Sequence, residues 1–154
     1  MSGWLSGSPE EKIVIIGIGN ELRNDDIAGI LIIEKLQGKL SSNIKLIDCG
    51  QVPENFTKDI INYSPNRIII VDIVDFGGSP GDITSIKKDE IRGISFSTHN
   101  YDLSLFIKYI ENFISPEINI IGIQPKSYDL GTELSGEVDG AIGEIVEAIT
   151  ARFK

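Results

Sequence analysis

Three polar residues, Asp26, Asp72 and His99, each follow or end a segment that is predicted to be a strand. These segments cover residues 13–19, 67–74 and 91–96. Two carboxylates and one imidazole form a ligand set that could bind a divalent transition metal, such as nickel, zinc, iron or manganese, with open positions for a substrate. Such a site requires a fold that brings the three side chains together.

Each of these residues also has an ordinary structural role open to it. Asp26 begins an apolar-periodic segment, where a carboxylate meets the positive end of a helix dipole. Asp72 interrupts an apolar run and could cap a neighbouring loop, although a carboxylate is costly to bury unless it is paired or binds a cation. His99 is the single histidine of the chain and could cap a helix or lie on the surface. The joint occurrence of all three favours a site.

The elements that must position these residues alternate between strand-like and helix-like segments. This alternation predicts one α/β domain with a mostly parallel sheet, covering residues 12–154 after an N-terminal tail, 1–11. The predicted strands are 13–19, 44–47, 67–74, 82–86 at an edge, 91–96 and 118–123. The predicted helices are 26–36, 53–64, 102–114 and 137–153. The loop after the first strand should carry Asp25 and Asp26 to the edge of the sheet where α/β proteins bind ligands.

Composition excludes several classes of protein. The 154 residues carry a net charge of -9, which opposes binding to nucleic acid and suits a basic or metal-bearing partner. Apolar runs are shorter than the ~20 residues that span a bilayer. The first eleven residues lack the features of a signal peptide, so we expect a soluble, cytoplasmic protein. Cys49 is the single cysteine, which rules out a disulfide framework and favours a small buried hydrophobic residue.

Two other functions are compatible with this pattern. A Rossmann-like nucleotide-binding domain would use Gly17 and Gly19 after the first strand and Asp48 at the end of the second. However, Leu22 occupies the position of the third glycine, and an acidic pair would repel a pyrophosphate at the helix start. A non-catalytic interaction domain on the same fold is the other alternative.

Four motifs in order carry a resemblance to a known family. They are GIGNELRNDDIAG at 17–29, IIIVDIVDFGGSPGDI at 68–83, STHN at 97–100 and GIQP at 122–125. Together they resemble the endopeptidases that mature the large subunit of nickel-iron hydrogenases, and most closely the branch that serves energy-converting and formate-linked hydrogenases. The resemblance covers nearly the whole chain from Lys12 onward. It implies a three-layer α/β sandwich around a twisted five-stranded sheet, and removal of a C-terminal extension from the precursor once nickel has been inserted.

The resemblance also implies roles for particular residues. Asp26, Asp72 and His99 match the family's catalytic, metal-contacting positions, and Asp75 matches a residue with at most a supporting role. The nickel would be carried by the substrate, the hydrogenase large-subunit precursor, and coordinated transiently by a monomeric protease. Ile27 departs from the family, many of whose members have glycine there. The matching turn and cleft-wall residues are Gly19, Asn20 and Gly50.

Overall fold

The computed structural model describes residues 10–91, 95–96 and 103–154. In this part of the chain, strands and helices alternate as predicted. The strands are β1 (Ile13–Ile18), β2 (Ile44–Gly50), β3 (Arg67–Asp75), β4 (Ile83–Lys87), β5 (Ser95–Phe96) and β6 (Glu117–Ile123). The helices are α1 (Ala28–Leu36), α2 (Thr57–Tyr63), α3 (Leu103–Glu111) and α4 (Gly136–Phe153). Short 3-10 turns cover Asn24–Ile27, Pro53–Phe56 and Lys88–Glu90.

Five strands form the sheet in the order β2-β1-β3-β6-β4. The neighbours β2, β1, β3 and β6 are parallel, and β4 is antiparallel to β6 at one edge. This confirms the predicted five-stranded, mostly parallel sheet. A further two-residue strand, β5, pairs with Val74 and Asp75 of β3. It can do so because β3 continues beyond Ile73, the last of its residues that pairs with β6.

The sheet is the middle of three layers, because alternate residues of its strands point to opposite faces. On β3, Ile69 and Val71 pack in the same apolar cluster as residues of α1 and α4. Ile68 and Ile70 pack in the other cluster, with residues of α2 and α3. Such near-continuous apolar strands are typical of parallel sheets covered on both faces. The three-layer α/β sandwich is therefore confirmed.

Several element ends differ from the predicted ones. The predicted helix 26–36 begins as a 3-10 turn, and its α-helical part starts at Ala28, directly after Ile27. The second strand continues to Gly50, because its last residues still pair with β1. The boundary predicted at residue 12 stays a prediction, although the Glu11 carboxylate already forms an ion pair with Arg67 at 3.5 Å. None of the described helices combines the length and apolar character needed to cross a bilayer.

Candidate active site

The start of α1 is held against the end of β1 by two glycines. A Cβ atom on Gly17 would lie 2.2 Å from the carbonyl oxygen of Gly29, and one on Gly29 would lie 2.2 Å from that of Ile18. No side chain fits at either distance, so helix and strand backbones touch directly. This contact brings the turn before α1 to the carboxyl end of the sheet.

Asp26 lies in this turn, at the end of β1. A Cβ atom on Gly19 would lie 2.2 Å from the carbonyl oxygen of Asp26, so only glycine fits at this position. That carbonyl accepts a hydrogen bond from Asn20 N at 3.0 Å, and Asp26 N donates to Arg23 O at 2.9 Å. Gly19 N in turn donates to Gly50 O at 2.9 Å, which joins the turn to the end of β2. The Asp26 backbone is thus fixed on both sides, and the residue is 1% exposed.

Asp72 lies on β3 at the same edge of the sheet. It follows Val71, whose partner on β1 is Gly17, and it pairs with Gly122 of β6. Its Oδ1 atom accepts a hydrogen bond from Ile73 N at 2.8 Å, and the residue is 1% exposed. Because the strand around it is apolar and buried, Asp72 differs from an ordinary surface aspartate.

The structure brings Asp26 and Asp72 to one edge of the sheet. The turn that carries Asp26 contacts β3. Gly29 lies three residues after Asp26. A Cβ atom on Gly29 would lie 2.8 Å from the carbonyl oxygen of Val71 on β3. One buried carboxylate thus lies in the turn after β1 and the other on the adjacent parallel strand β3, both at the edge of the sheet that the sequence predicted. Their catalytic and metal-binding roles stay predictions.

His99 lies outside the described residues, so its predicted role is not tested. The described residues that flank it in the sequence belong to β5 and α3. Before it, β5 pairs with Val74 and Asp75, two and three residues after Asp72. After it, α3 begins at Leu103 and packs on the face of the sheet that β3 shares through Ile70 and Val74. Within residues 10–91, 95–96 and 103–154, no three His, Cys, Asp or Glu side chains are grouped closely enough to hold a metal ion.

Asp25, the neighbour of Asp26, has a different role. Its Oδ2 atom accepts hydrogen bonds from Lys126 N at 2.8 Å, Ser127 N at 3.3 Å and Ser135 Oγ at 2.9 Å. Its Oδ1 atom accepts from Ser135 N at 2.7 Å. The buried carboxylate thereby ties the loop of residues 124–135 to the turn that carries Asp26. The sequence offered one signal for this role, the adjacent acidic pair.

The backbone next to Asp25 adds to this attachment. Asn24 adopts a left-handed conformation, with φ of 47°, and its N–H donates to Gly131 O at 2.8 Å. Its side chain accepts from Glu133 N at 3.0 Å and donates to Ser127 Oγ at 3.1 Å. Asparagine tolerates this conformation better than most residues. The 124–135 loop is therefore attached at several points along its length.

Gln124 organises the loop that follows β3. Its Oε1 atom accepts from Phe76 N at 2.9 Å and Gly78 N at 3.1 Å, and its Nε2 atom donates to Asp75 Oδ1 at 3.2 Å. Gln124 belongs to the GIQP motif at 122–125, from which no role was predicted for it. A polar residue directly after a buried strand was the available signal. Asp75 itself is exposed and helps to shape this loop.

Cys49 is buried at the end of β2, as predicted. Burial raises the pKa of the Cys49 thiol well above its usual range, and the nearby Asp48 and Glu54 carboxylates raise it further. A thiol needs its deprotonated form to act as a nucleophile. Cys49 is therefore unsuited to nucleophilic catalysis.

The chain is similar to known proteases in both sequence and fold. Residues 30–152 match the sequence model described as hydrogenase maturation protease. Over 150 residues the chain is 40% identical to a Methanocaldococcus jannaschii protein named as a hydrogenase maturation protease, covering 90% of this chain and 89% of the relative. It is 37% identical over 113 residues to the hydrogenase 3 maturation protease of Escherichia coli, covering 73% of this chain and 72% of that protein.

Structural comparison agrees with the sequence comparisons. The crystal structure of the [NiFe] hydrogenase maturation protease HycI from Thermococcus kodakarensis superimposes with a TM-score of 0.84 at 31% identity, covering 92% of this chain and 91% of that one. The chain is a peptidase. It belongs to the hydrogenase maturation protease family, which confirms the resemblance found in the sequence motifs.

Membership of this family favours the peptidase over the nucleotide-binding alternative. The site geometry agrees, because Asp25 and Asp26 are both buried in the first turn after β1. In a Rossmann fold the pyrophosphate approaches at this point, and two carboxylates would repel it.

Proposed function

We propose that this protein is an endopeptidase that removes the C-terminal extension of a nickel-iron hydrogenase large-subunit precursor after nickel has been inserted. Family membership supports the processing role in general, and the relatives are named for the maturation of hydrogenases. The observation that carries the specific proposal is the position of two buried carboxylates at one edge of the sheet, Asp26 in the turn after β1 and Asp72 on the adjacent strand β3.

The chemistry of these residues suits a substrate that brings its own cation. A buried carboxylate is stabilised when a positive charge approaches it, because little water is present to screen the attraction. Carboxylate oxygen and imidazole nitrogen are both ligands for nickel. We propose that Asp26, Asp72 and His99 occupy open coordination positions of nickel that the precursor already holds.

In this proposal nickel acts as a recognition element. A precursor without nickel would present nothing to balance the two carboxylates and would bind weakly. A loaded precursor would bind through the metal, which fixes the peptide beside the protease. Cleavage would thus follow insertion. We further propose that the protein acts in the cytoplasm, and that it acts as a monomer because one chain supplies all three residues.

The test is intact-mass spectrometry of a large-subunit precursor incubated with this protein, with and without prior loading with nickel. The proposal expects loss of a C-terminal peptide from the loaded precursor alone. Equal cleavage of both samples would support the protease activity but contradict the role of nickel as a recognition element. Binding of the precursor without shortening would instead favour the non-catalytic interaction domain.

Variants then test the three residues. Asp26→Asn, Asp72→Asn and His99→Gln should each abolish processing while the thermal unfolding midpoint stays close to that of the wild type. Asp59→Asn is the matched control, since Asp59 is an exposed carboxylate on α2 and loses the same charge. Full processing by both Asp26→Asn and Asp72→Asn would contradict the assignment.

A further inference from the structure

Two leucines are exposed at the edge of the sheet where Asp26 lies. Leu22, in the turn after β1, is 60% exposed, and Leu130, in the 124–135 loop, is 76% exposed. Single exposed leucines are common on protein surfaces, but neighbouring ones beside a site often mark a binding surface.

The backbone makes these two leucines neighbours. Gly131 N donates to Leu22 O at 2.9 Å, and Asn24 N donates to Gly131 O at 2.8 Å. Arg23 and Gly131 form a parallel bridge, so the residues that precede them, Leu22 and Leu130, stand side by side. Paired backbones of this kind lie about 4.8 Å apart. Leu22 and Leu130 are called the leucine pair below.

The leucine pair is close to the proposed active site. Leu22 lies four positions before Asp26 in the chain, and a segment of that length spans at most about 14 Å. The hydrogen bonds between Asn20, Arg23 and Asp26 close this part of the chain into a compact turn. A peptide bound at Asp26 can therefore extend as far as the leucine pair.

Both loops that carry the leucine pair are held in place before any partner binds. The Asp25 carboxylate accepts four hydrogen bonds from the 124–135 loop, and the Asn24 side chain bonds the same loop twice. A surface that is already ordered loses little conformational entropy when it binds.

The charges around the leucine pair are acidic. Glu21, Asp129 and Glu133 are exposed residues next to or near the two leucines in sequence. Two cations belong to the same segments. Lys126 lies 3.6 Å from the Glu137 carboxylate, whereas Arg23 donates to the neutral Tyr128 O at 3.5 Å and keeps its charge, so the three acids outnumber the one cation that has no acidic partner among the described residues. A complementary partner would combine an apolar side chain with neighbouring Lys or Arg residues.

We propose that the leucine pair is the docking surface for a segment of the precursor polypeptide that carries an apolar side chain beside Lys or Arg. This proposal rests on the proposed function, because it takes the hydrogenase precursor as the partner. The leucines bind the apolar side chain, and Glu21, Asp129 and Glu133 attract the basic ones. Nickel recognition and peptide docking are then separate contributions to affinity.

The first experiment measures processing kinetics for Leu22→Ser, Leu130→Ser and the double variant with nickel-loaded precursor. Each single substitution should raise KM about tenfold, as expected for loss of a buried interface contact, with kcat within about twofold of the wild type. Phe113→Ser is the matched control, because Phe113 is 59% exposed but lies after α3, near the start of β6. It should leave KM unchanged.

A second experiment separates this proposal from the proposed function. The affinity of the loaded precursor for the wild type and the double leucine variant is measured directly, at low and high salt, whether or not cleavage occurs. Weaker binding by the double variant, together with weaker wild-type binding at high salt, supports docking at this surface. Equal affinity of wild type and double variant overturns it. If the wild type binds the loaded precursor but does not cleave it, the protease function alone is overturned. If the wild type neither binds nor cleaves the precursor, both proposals are overturned.

Discussion

Ser135 donates two hydrogen bonds to the carboxylate of Asp25, from its N–H to Oδ1 at 2.7 Å and from its hydroxyl to Oδ2 at 2.9 Å. The same hydroxyl accepts from Val138 N at 3.3 Å and so caps the start of α4. One buried carboxylate therefore joins the beginning of the last helix to the turn that carries Asp26.

Asp25→Asn should destabilise the fold. An amide has one acceptor oxygen in place of two, and its NH₂ group would face backbone N–H donors. Loss of hydrogen bonds to a charged group costs about 2 kcal/mol, which lowers the melting temperature of a domain this size by roughly 4–8 °C. Thermal unfolding followed by circular dichroism measures the change. Asp129→Asn, an exposed acid in the loop attached to Asp25, should leave the midpoint unchanged.

Gly29→Ala should prevent normal folding. The added methyl group would lie 2.2 Å from the carbonyl oxygen of Ile18, and neither backbone can withdraw without separating α1 from β1. We expect a loss of about 3 kcal/mol or more, visible in chemical denaturation or as insoluble protein. Gly143→Ala provides the control, because a Cβ atom there would meet nothing within 4 Å and the residue lies in α4. Alanine should stabilise that helix by about 0.5–1 kcal/mol.

Asp72 and Asp75 should differ in their effect on processing, although both belong to the same motif. Asp72→Asn removes a buried carboxylate from the proposed nickel site and should lower processing by more than about 100-fold, the upper end of what loss of an outer-sphere partner costs at metal sites. Asp75 is exposed and bonds Gln124 and Gly77 N, so Asp75→Asn should change the rate only a few-fold. Intact-mass time courses compare the two. A similar loss in both variants would mean that loop shape, and not metal contact, determines the rate.

Cys49 should be chemically inert in the folded protein. Its pKa is raised by burial and by Asp48 and Glu54, so the thiol stays protonated at pH 8 and should resist alkylation by iodoacetamide until the protein unfolds. Cys49→Ala should retain full processing activity. Rapid alkylation of the native protein, or loss of activity in the alanine variant at unchanged stability, would reverse this conclusion.

The raised pKa of Cys49 also makes the stability of the protein depend on pH. Because the pKa of Cys49 is higher in the folded state than in the unfolded chain, the unfolded chain releases its proton first as the pH rises. The contribution of the thiol to stability is complete below about pH 8.5, the usual pKa of cysteine, and is lost progressively above it. Chemical denaturation at pH values from 7 to 10 should therefore show that the free energy of unfolding declines more steeply for the wild type than for Cys49→Ala.

Much of the fold follows from local features of the sequence. The apolar runs of β1 and β3 predicted strands buried on both faces, because a parallel sheet covered by helices has no polar face. The motifs around Asp26 and Asp72 identified the family. They also predicted that both carboxylates would lie at one edge of the sheet, since parallel strands end on the same side. The prediction that His99 joins them lies outside the described residues.

Other features were decided only by tertiary structure. The strand order β2-β1-β3-β6-β4 depends on packing across the whole domain. Asp25 and Asp26 are chemically identical neighbours, and only contacts with residues 101 to 110 positions away, Lys126, Ser127 and Ser135, make one of them an anchor for a loop. The leucine pair likewise exists because Gly131 N finds the carbonyl of Leu22. Periodicity and turn preferences act over a few residues, whereas these hydrogen bonds join distant segments that meet only when the sheet has formed.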